Sequence, residues 1–200
     1  MSEKLDTSPE DEAIKNEARE FMTGLVGSGI GDNTAECCTE NPTPEGADII
    51  QAWISKYSSD NDGNQQATIM NDFWSIYDPY RTSIWSMTYD EADSNENLQE
   101  TIDLVTELLH KPEMVNLKQN HDCFGVVHVL EDLSIEGIWL FNGPDPTKMY
   151  SANEDTSWYT FTQIGPEVND HVKAAVAKLL MPTDDGKLNG KVIKDTKVFP

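Results

Sequence analysis

The sequence predicts an α+β domain in which helices pack on a mainly antiparallel sheet, and three observations favour this class. Residues 134–143 alternate apolar and polar side chains and end on a turn glycine, which is typical of a half-buried strand. Residues 123–131 are rich in valine and are joined to that strand by Asp132 and Leu133, which predicts an antiparallel hairpin. Apolar residues between 98 and 109 recur at the helical period.

The remaining elements follow from the same patterns in chain order. An apolar face predicts a helix over 48–57, with Asp48 as its cap and Trp53 in the core. A helix over 95–110 is expected to stop at Pro112. Further strands are predicted at 84–89 and 158–164.

The sequence divides into an acidic N-terminal extension, residues 1–46, and one core-bearing domain, residues 47–200. The extension opens on polar residues, continues with an amphipathic helix predicted over 10–26, and ends in a linker rich in glycine and proline. The hydrophobic content of 38 % is enough for one core in a chain of 200 residues. A single folded domain with an extension is therefore expected.

Acidic residues dominate the charge, with 36 aspartates and glutamates against 14 lysines and arginines and a net charge of −22. Phosphate contacts need a cationic surface, so the charge excludes direct DNA binding and attachment to an anionic membrane. High-salt adaptation, selection of basic partners and plain solubility all remain open as explanations. A local strip of Lys187, Lys191, Lys194 and Lys197 could contact an acidic partner or be merely solvated.

Cysteine usage and hydropathy both favour the cytoplasm. Cys37, Cys38 and Cys123 cannot form a disulfide framework, and adjacent cysteines rarely bridge without strain. No stretch approaches the roughly 20 apolar residues that would span a bilayer, and the first residues do not have the pattern of a secretory signal. We therefore expect a reducing, cytoplasmic location.

The sequence contains little that predicts catalysis. His121, Asp122 and Cys123 form a loose zinc candidate, but successive strand residues point to opposite faces and a structural zinc site needs four ligands. A nucleophile built from Cys123 with His121 or His128 would require an accessible titrating group, and it fails if Cys123 and His128 are packed in the core. We therefore expect no catalytic residues, no metal, no cofactor and no small-molecule substrate.

The tryptophans are the most informative group of side chains. Trp74, Trp85, Trp139 and Trp158 come from four segments that the predicted sheet brings together, and large rings dominate core energetics. Most should be core, while one or two could line one face as an anchor for a partner. The candidate partner-binding residues are Trp74, Tyr77, Tyr80, Arg81, Trp85, Tyr89 and, from the motif described next, Asn142.

A collinear series of motifs runs through residues 47–200. A helix carrying Lys56 and Tyr57 leads to Phe73-Trp74, then to a strand containing Trp85, and then to the strand at 134–143. The last strand fits the form Ser-Ile-x-Gly-x-Trp-x-Phe-Arg-Gly except that Asn142 replaces the arginine. In this order the motifs resemble the carboxy-terminal domain of the gamma subunit of eukaryotic translation elongation factor 1B.

The resemblance implies a curved antiparallel sheet with one concave face, flanked by helices, the last of them at about 168–180. It also implies a noncatalytic accessory or scaffold role in the translation elongation factor 1 complex, with other subunits of that complex as protein partners. In the family a glutathione-transferase-like domain precedes this region, and 46 residues are too few for that fold. We therefore expect this chain to lack the part that contacts the nucleotide-exchange subunit. This expectation leaves open the alternative of a free-standing interaction or regulatory module reused outside translation.

Overall fold

The computed structural model describes residues 46–59, 66–181 and 185–200. Its helices are α1 (Gly46–Ser59), α2 (Gln66–Ile76), α3 (Leu98–His110), α4 (Pro112–Gln119), α5 (Thr147–Ala152) and α6 (Asp170–Leu180). Its strands are β1 (Thr82–Tyr89), β2 (Cys123–Leu130), β3 (Ile135–Asn142), β4 (Tyr159–Ile164), β5 (Lys187–Leu188) and β6 (Lys191–Phe199). Short 3-10 helices span Ala92–Ser94 and Glu154–Trp158.

The six strands form one curled antiparallel sheet with the order β4-β1-β3-β2-β6-β5. The central strand β3 pairs with β1, so that Trp85 lies opposite Trp139, and with β2, so that Gly125 lies opposite Trp139 on the other side. Both faces carry helices, and the predicted α+β class with a curved antiparallel sheet is confirmed.

Alternation along β3 directs its side chains into two separate cores. Ile135, Trp139 and Phe141 point to one face, while Ile138 and Leu140 point to the other. All five are nearly inaccessible to solvent. The sequence predicts that β3 is half-buried, but the strand is buried on both faces because helices cover each face of the sheet.

The first core lies between the sheet and helices α3, α4 and α5. Helix α3 begins after Asn97, whose side chain accepts a hydrogen bond from the Glu100 N–H, and its buried face includes Val105 and Leu108. Pro112 does not simply end this helix. It starts α4, because proline is well tolerated at the first helical position, where a backbone N–H would have no acceptor within the helix.

The second core lies between the opposite face and helices α1, α2 and α6. Trp53 of α1 and Phe73 of α2 pack edge to face, with ring centroids 4.9 Å apart, and both reach Phe124 or its neighbours on β2. Trp53 is fully buried, as its helical pattern predicts. Asp48 does not cap α1, since it is the third residue of the helix and lies in the first turn, where a carboxylate favours the helix dipole.

Two further elements differ from the expectations. Helix α2 is not among the predicted elements, since its aromatic residues fit a motif that precedes a strand. The chain from 191 to 199 is a strand that is not among the predicted elements, and it pairs with β2 on one side and with β5 on the other. The predicted helix at 10–26, most of the linker at 27–46, Cys37 and Cys38 lie outside the described residues. Across the described ranges, no helix is long and apolar enough to cross a membrane.

Candidate functional site

The sequence-predicted binding residues do not form one surface. Trp74 lies on α2 and Tyr77 directly follows that helix, and both are half-buried in the aromatic cluster of the second core. The Trp74 ring lies 4.9 Å from that of Phe73 and 5.6 Å from that of Tyr77, both edge to face. These contacts give both side chains a packing role.

Tyr80, Arg81 and Asn142 lie at one end of the β1–β3 pair. Tyr80 is 96 % exposed in the turn before β1, and the Arg81 guanidinium pairs with Asp78 at 3.4 Å. Asn142 is the last residue of β3, and the N–H of the next residue, Gly143, donates to the Arg81 carbonyl over 2.8 Å. This end of the sheet therefore holds the position at which the family motif has an arginine.

Trp85 and Tyr89 point to the first core instead, on the face opposite to Trp74 and Tyr77. Trp85 is half-buried and its indole N–H donates to the Ser83 hydroxyl over 2.9 Å. Tyr89 ends β1, so it lies roughly 26 Å along the strand from Arg81 at about 3.3 Å per residue. The seven predicted residues thus divide into three groups, and their role in partner binding stays a prediction.

Trp139, the most distinctive residue of the β3 motif, is wholly buried and serves packing. Its ring lies flat against Gly125 of β2, where an added Cβ would come within 2.5 Å of the ring. Its N–H points to the Met87 sulfur at 3.2 Å. Gly137 is equally constrained, since a Cβ there would lie 2.8 Å from the Val126 carbonyl oxygen. The glycine and tryptophan of the motif therefore shape the core.

The cysteine predicted as a possible nucleophile is buried and inert. Cys123 is 1 % exposed, and burial, together with the adjacent Asp122 carboxylate, raises the pKa of its thiol above the ordinary range. Asp122 itself forms an ion pair with the Lys148 ammonium. A thiol held protonated in the core does not act as a nucleophile.

His128 is also enclosed, with no exposed surface. One ring nitrogen, Nε2, lies 2.8 Å from the Leu179 carbonyl, which can only accept, so this nitrogen carries the proton. The other, Nδ1, accepts from the Thr196 hydroxyl over 2.9 Å. Burial lowers the pKa of His128, against the opposing effects of the Leu179 carbonyl and Glu136. Because Cys123 and His128 are both in the core, the enzyme hypothesis built on them fails.

The metal hypothesis gains no support from the geometry. In the part of the chain that the structure describes, no group of three or more histidine, cysteine or acidic side chains could hold a metal ion. His121, Asp122 and Cys123 follow one another through the turn into β2 and do not converge with a fourth ligand.

A cleft of about 460 Å³ lies at the other end of β1 from Arg81, beside the first core. We call it the aromatic–acidic cleft. Three parts of the chain form it: the connection after β1, helix α3, and the 3-10 helix that leads into β4. Its lining residues are Tyr89, Glu91, Ser94, Leu104, Glu107, Leu108, Asp155, Trp158 and Tyr159.

Three rings line the aromatic–acidic cleft. Tyr89 and Tyr159 lie opposite each other at the β1–β4 edge, with ring centroids 5.1 Å apart and tilted by 50°. Trp158 is 54 % exposed although it is a large ring, whereas Tyr159 is only 4 % exposed. The Tyr159 hydroxyl is buried without a hydrogen-bond partner among the described residues. Burial, with the nearby Tyr89 and Asp155, raises the pKa of Tyr159.

The aromatic–acidic cleft carries an excess of negative charge. Glu91, Glu107 and Asp155 line it, and Asp155 is paired with the Lys111 ammonium. Neither Glu91 nor Glu107 has an ion pair within the described ranges. One cation against three carboxylates leaves the cleft suited to a positively charged ligand.

Sequence reasoning found only Tyr89 of these cleft residues as a candidate. The alternation of side chains along β4 could have identified Trp158 as an exposed residue. Tyr159 and Phe161 point to the core, so the residue one position before Tyr159 is expected on the other face. The three acidic residues had no such signal. They are far apart in sequence and meet only through the β1–β4 pairing and the placement of α3.

Two other clefts are weaker candidates for a binding site. One of about 300 Å³ lies between α6 and the sheet, and one of about 170 Å³ lies between α4 and the end of β6. The second includes Lys197, from the predicted lysine strip, but that ammonium pairs with Asp195, as Lys191 does with Asp132. Lys191 and Lys197 thus have partners within their own chain.

Comparison with known families identifies the relationship. The domain described as "Elongation factor 1 gamma, conserved domain" matches residues 37–145, more than half of the chain. The chain belongs to this elongation factor 1 gamma family. The predicted resemblance is confirmed, and the family's Ser-Ile-x-Gly-x-Trp strand is β3, at the centre of the sheet.

Individual relatives in the elongation factor 1 gamma family are distant. "Probable elongation factor 1-gamma 2" of Arabidopsis thaliana is 24 % identical over 153 residues, which cover 76 % of this chain and 36 % of the relative. "Elongation factor 1-gamma 1" of Oryza sativa subsp. japonica is 24 % identical, with 76 % and 35 % covered. The protein of Prunus avium named "Elongation factor 1-gamma" is 23 % identical. The match thus spans about a third of the length of these curated relatives.

Proposed function

We propose that the protein is a noncatalytic accessory or scaffold module of the translation elongation factor 1 complex, acting in the cytoplasm through protein partners. The observation that carries this proposal is the match of the elongation factor 1 gamma conserved domain to residues 37–145. The names of the relatives place them in translation elongation, and the proposal extends that setting to this chain.

The noncatalytic part of the proposal is supported by the burial of the candidate reactive groups. Cys123 and His128 are both inside the core, and the His128 ring nitrogens are occupied by Thr196 and Leu179. The aromatic–acidic cleft offers carboxylates and rings, which suit recognition of a partner. An exposed tryptophan at such a cleft favours protein binding, because tryptophan is enriched in the residues that dominate interface energetics.

The test is a capture experiment with the full chain. The tagged protein is purified from its native cell extract at low and at high salt, and the bound proteins are quantified by mass spectrometry. The proposal predicts enrichment of elongation factor 1 subunits at low salt and less at high salt, because screening weakens contacts made by an acidic surface. A tagged, unrelated protein of similar negative charge is the control for non-specific attraction of basic proteins.

A second candidate function is an interaction or regulatory module reused outside translation. Asn142 at the family's arginine position favours it, since the guanidinium contact that an arginine would make at that end of the sheet is absent in this chain. Identity of 24 % to the Arabidopsis relative also leaves room for a changed partner. A reproducible partner from another process, with no enrichment of elongation factor 1 subunits over the control, would favour this function and refute the first.

A further inference from the structure

We propose that the aromatic–acidic cleft binds an arginine side chain from a segment of a partner protein. This inference rests on the proposed function, because it names the chemistry by which the module would hold a partner. It concerns the rim of the first core, not the family's tryptophan strand, which is buried on both faces.

The charge of the cleft selects a cation. Glu91 and Glu107 line it without an ion pair among the described residues, and the one ammonium at its edge, Lys111, is taken by Asp155. An anionic ligand would face these carboxylates directly, so nucleic acid and phosphate groups are disfavoured. A bound metal ion does not fit, since the acidic groups do not converge closely enough to hold one.

The rings select a planar cation. Tyr89, Trp158 and Tyr159 all line the cleft, and aromatic faces attract cations, most strongly when the ring is tryptophan. A guanidinium stacks on such rings and donates from five N–H groups, whereas an ammonium is a compact, strongly hydrated charge. Arginine therefore uses the rings and the carboxylates together.

A third feature points independently to an incoming donor. The Tyr159 side chain is 96 % buried, since only 4 % of it is exposed, yet its hydroxyl has no hydrogen-bond partner among the described residues. A buried hydroxyl without a partner is costly, and such groups in proteins usually have one. Tyr159 lines the cleft but its oxygen is closed to solvent, so an arginine N–H supplies the missing donor once the neighbouring side chains move to admit it.

The occupant is a protein segment because the space exceeds one side chain. About 460 Å³ accommodates the guanidinium, its methylene stem against Leu104, and part of the neighbouring backbone. The exposed Trp158 ring forms one wall that a segment could cover. The net charge of −22 favours encounter with basic segments in general, while the cleft supplies the specific contact.

The experiment is a titration of the isotope-labelled full chain with an acetylated pentapeptide that has arginine at its centre and glycine elsewhere. Binding is followed by the indole N–H signal of Trp158, one of five tryptophans, assigned with a Trp158→Phe variant. A matched peptide with citrulline, which has nearly the same shape but no charge, is the control. We expect saturable shifts with the arginine peptide that are at least about fivefold weaker with citrulline.

Variants separate the cleft from general attraction to an acidic protein. Glu107→Gln should weaken arginine-peptide binding about fivefold, the size of one partly exposed charge contact. Glu167→Gln removes an equal charge from an exposed position beyond the far end of β4 and should change binding less than twofold. Equal losses in the two variants, or equal binding of both peptides, would overturn the inference.

Tyr159→Phe tests the unpartnered hydroxyl without risking the fold. The variant removes one buried oxygen that has no partner, so the unfolding midpoint should stay the same or rise, while arginine-peptide binding should weaken about threefold. Unchanged binding in this variant would contradict the role assigned to the hydroxyl.

The result also distinguishes this inference from the proposed function. Capture of elongation factor 1 subunits by a chain that does not bind the arginine peptide would refute the cleft inference alone. Specific peptide binding by a chain that captures none of these subunits would refute the translation role and keep the cleft.

Discussion

Trp139 and Trp158 are two tryptophans at or beside strands of the same sheet, and their surroundings are opposite. Trp139 is fully buried between Gly125 and the Met87 sulfur, with its N–H directed at that sulfur. Trp158 is 54 % exposed on the wall of a cleft in which Glu91 and Glu107 have no ion pair with any described residue. The more recognisable motif thus surrounds the residue that cannot reach a partner, whereas the less recognisable segment carries the accessible ring.

The difference follows from strand position and teaches how the family strand should be interpreted. A residue in the central strand β3 has neighbours on both sides and a helical layer above it, so a large ring there is core. A residue just before the edge strand β4 lacks neighbours on one side. A distinctive sequence pattern can therefore reflect packing constraints, and the binding surface must be sought where packing ends.

The largest expected effect is the loss of the Trp139 ring. Trp139→Ala should lower the free energy of unfolding by about 3–5 kcal/mol, because it removes a fully buried ring and leaves a cavity. Urea unfolding followed by circular dichroism measures this loss. A change below about 1 kcal/mol would mean that the ring is not packed as described, and the contrast with Trp158 would disappear.

The contact between Gly125 and Trp139 can be tested by a double-mutant cycle. Gly125→Ala places a Cβ within 2.5 Å of the Trp139 ring and should cost about 1–3 kcal/mol through overpacking. In a Trp139→Leu background the same substitution should cost clearly less, because the ring that it meets is gone. Equal costs in both backgrounds would show that the glycine is needed for another reason.

Much of the fold could be predicted because alternation along the strands and the helical period of the apolar residues mark these elements locally. The strands at 123–130, 135–142 and 159–164 and helices α3 and α6 lie within a few residues of their predicted bounds. Helix α2 is not predicted, because its aromatic residues fit a motif that precedes a strand. Helix α4 is not predicted, because Pro112 is expected to stop the preceding helix, although proline is also favoured at a helix start.

The candidate site was harder to predict for a physical reason. Trp74, Tyr77, Trp85 and Tyr89 all belong to short aromatic segments, but the alternation of β1 and the placement of α2 send them to opposite faces. Glu91, Glu107 and Asp155 converge only through tertiary structure. The alternation of side chains would have shown which aromatic residues share a face of the sheet. The convergence of the three acidic residues can be predicted only when the order of the strands is known.

His128, the buried histidine of β2, gives a prediction of how stability depends on pH. The pKa of His128 is lowered in the folded protein, so in the window below the ordinary value of about 6.5 the unfolded chain binds a proton that the folded chain does not. Stability should therefore fall as the pH drops below about 6.5, by up to about 1.4 kcal/mol per pH unit.

His128→Gln should flatten this slope of unfolding free energy against pH between 5 and 7, whatever its effect at neutral pH. His171→Gln, at an exposed position in the first turn of α6, is the control and should leave the slope intact. A slope that survives in the His128 variant would show that another group titrates.

A smaller effect is expected at the surface, in the β2–β3 turn. The Lys191 ammonium and the Ser134 hydroxyl lower the pKa of Asp132 to about 2. The contribution of Asp132 to the free energy of unfolding is fully present above about 3.9, the pKa of an aspartate in the unfolded chain. This contribution is lost as the pH falls through about 2. Asp132→Asn should cost about 0.5 kcal/mol at pH 7, since both side chains are partly exposed, and progressively less from pH 4 downward.

The ion pair of Asp132 and Lys191 can be tested by a double-mutant cycle. Lys191→Met should produce a similar small loss, and the double variant should lose less than the sum of the two single losses. Fully additive losses would mean that the two side chains do not interact in solution. A loss above about 2 kcal/mol would contradict the surface character of this pair.

The most direct measurement compares stability and binding in one Trp158→Ala sample. Urea unfolding gives its stability, and titration with the arginine pentapeptide, followed by backbone amide signals of the cleft, gives its affinity. Because Trp158 is an exposed wall residue, we predict a stability change within about 0.5 kcal/mol and a loss of affinity of at least about fivefold. A large loss of stability with unchanged peptide affinity would contradict the division between a buried family strand and an open binding cleft.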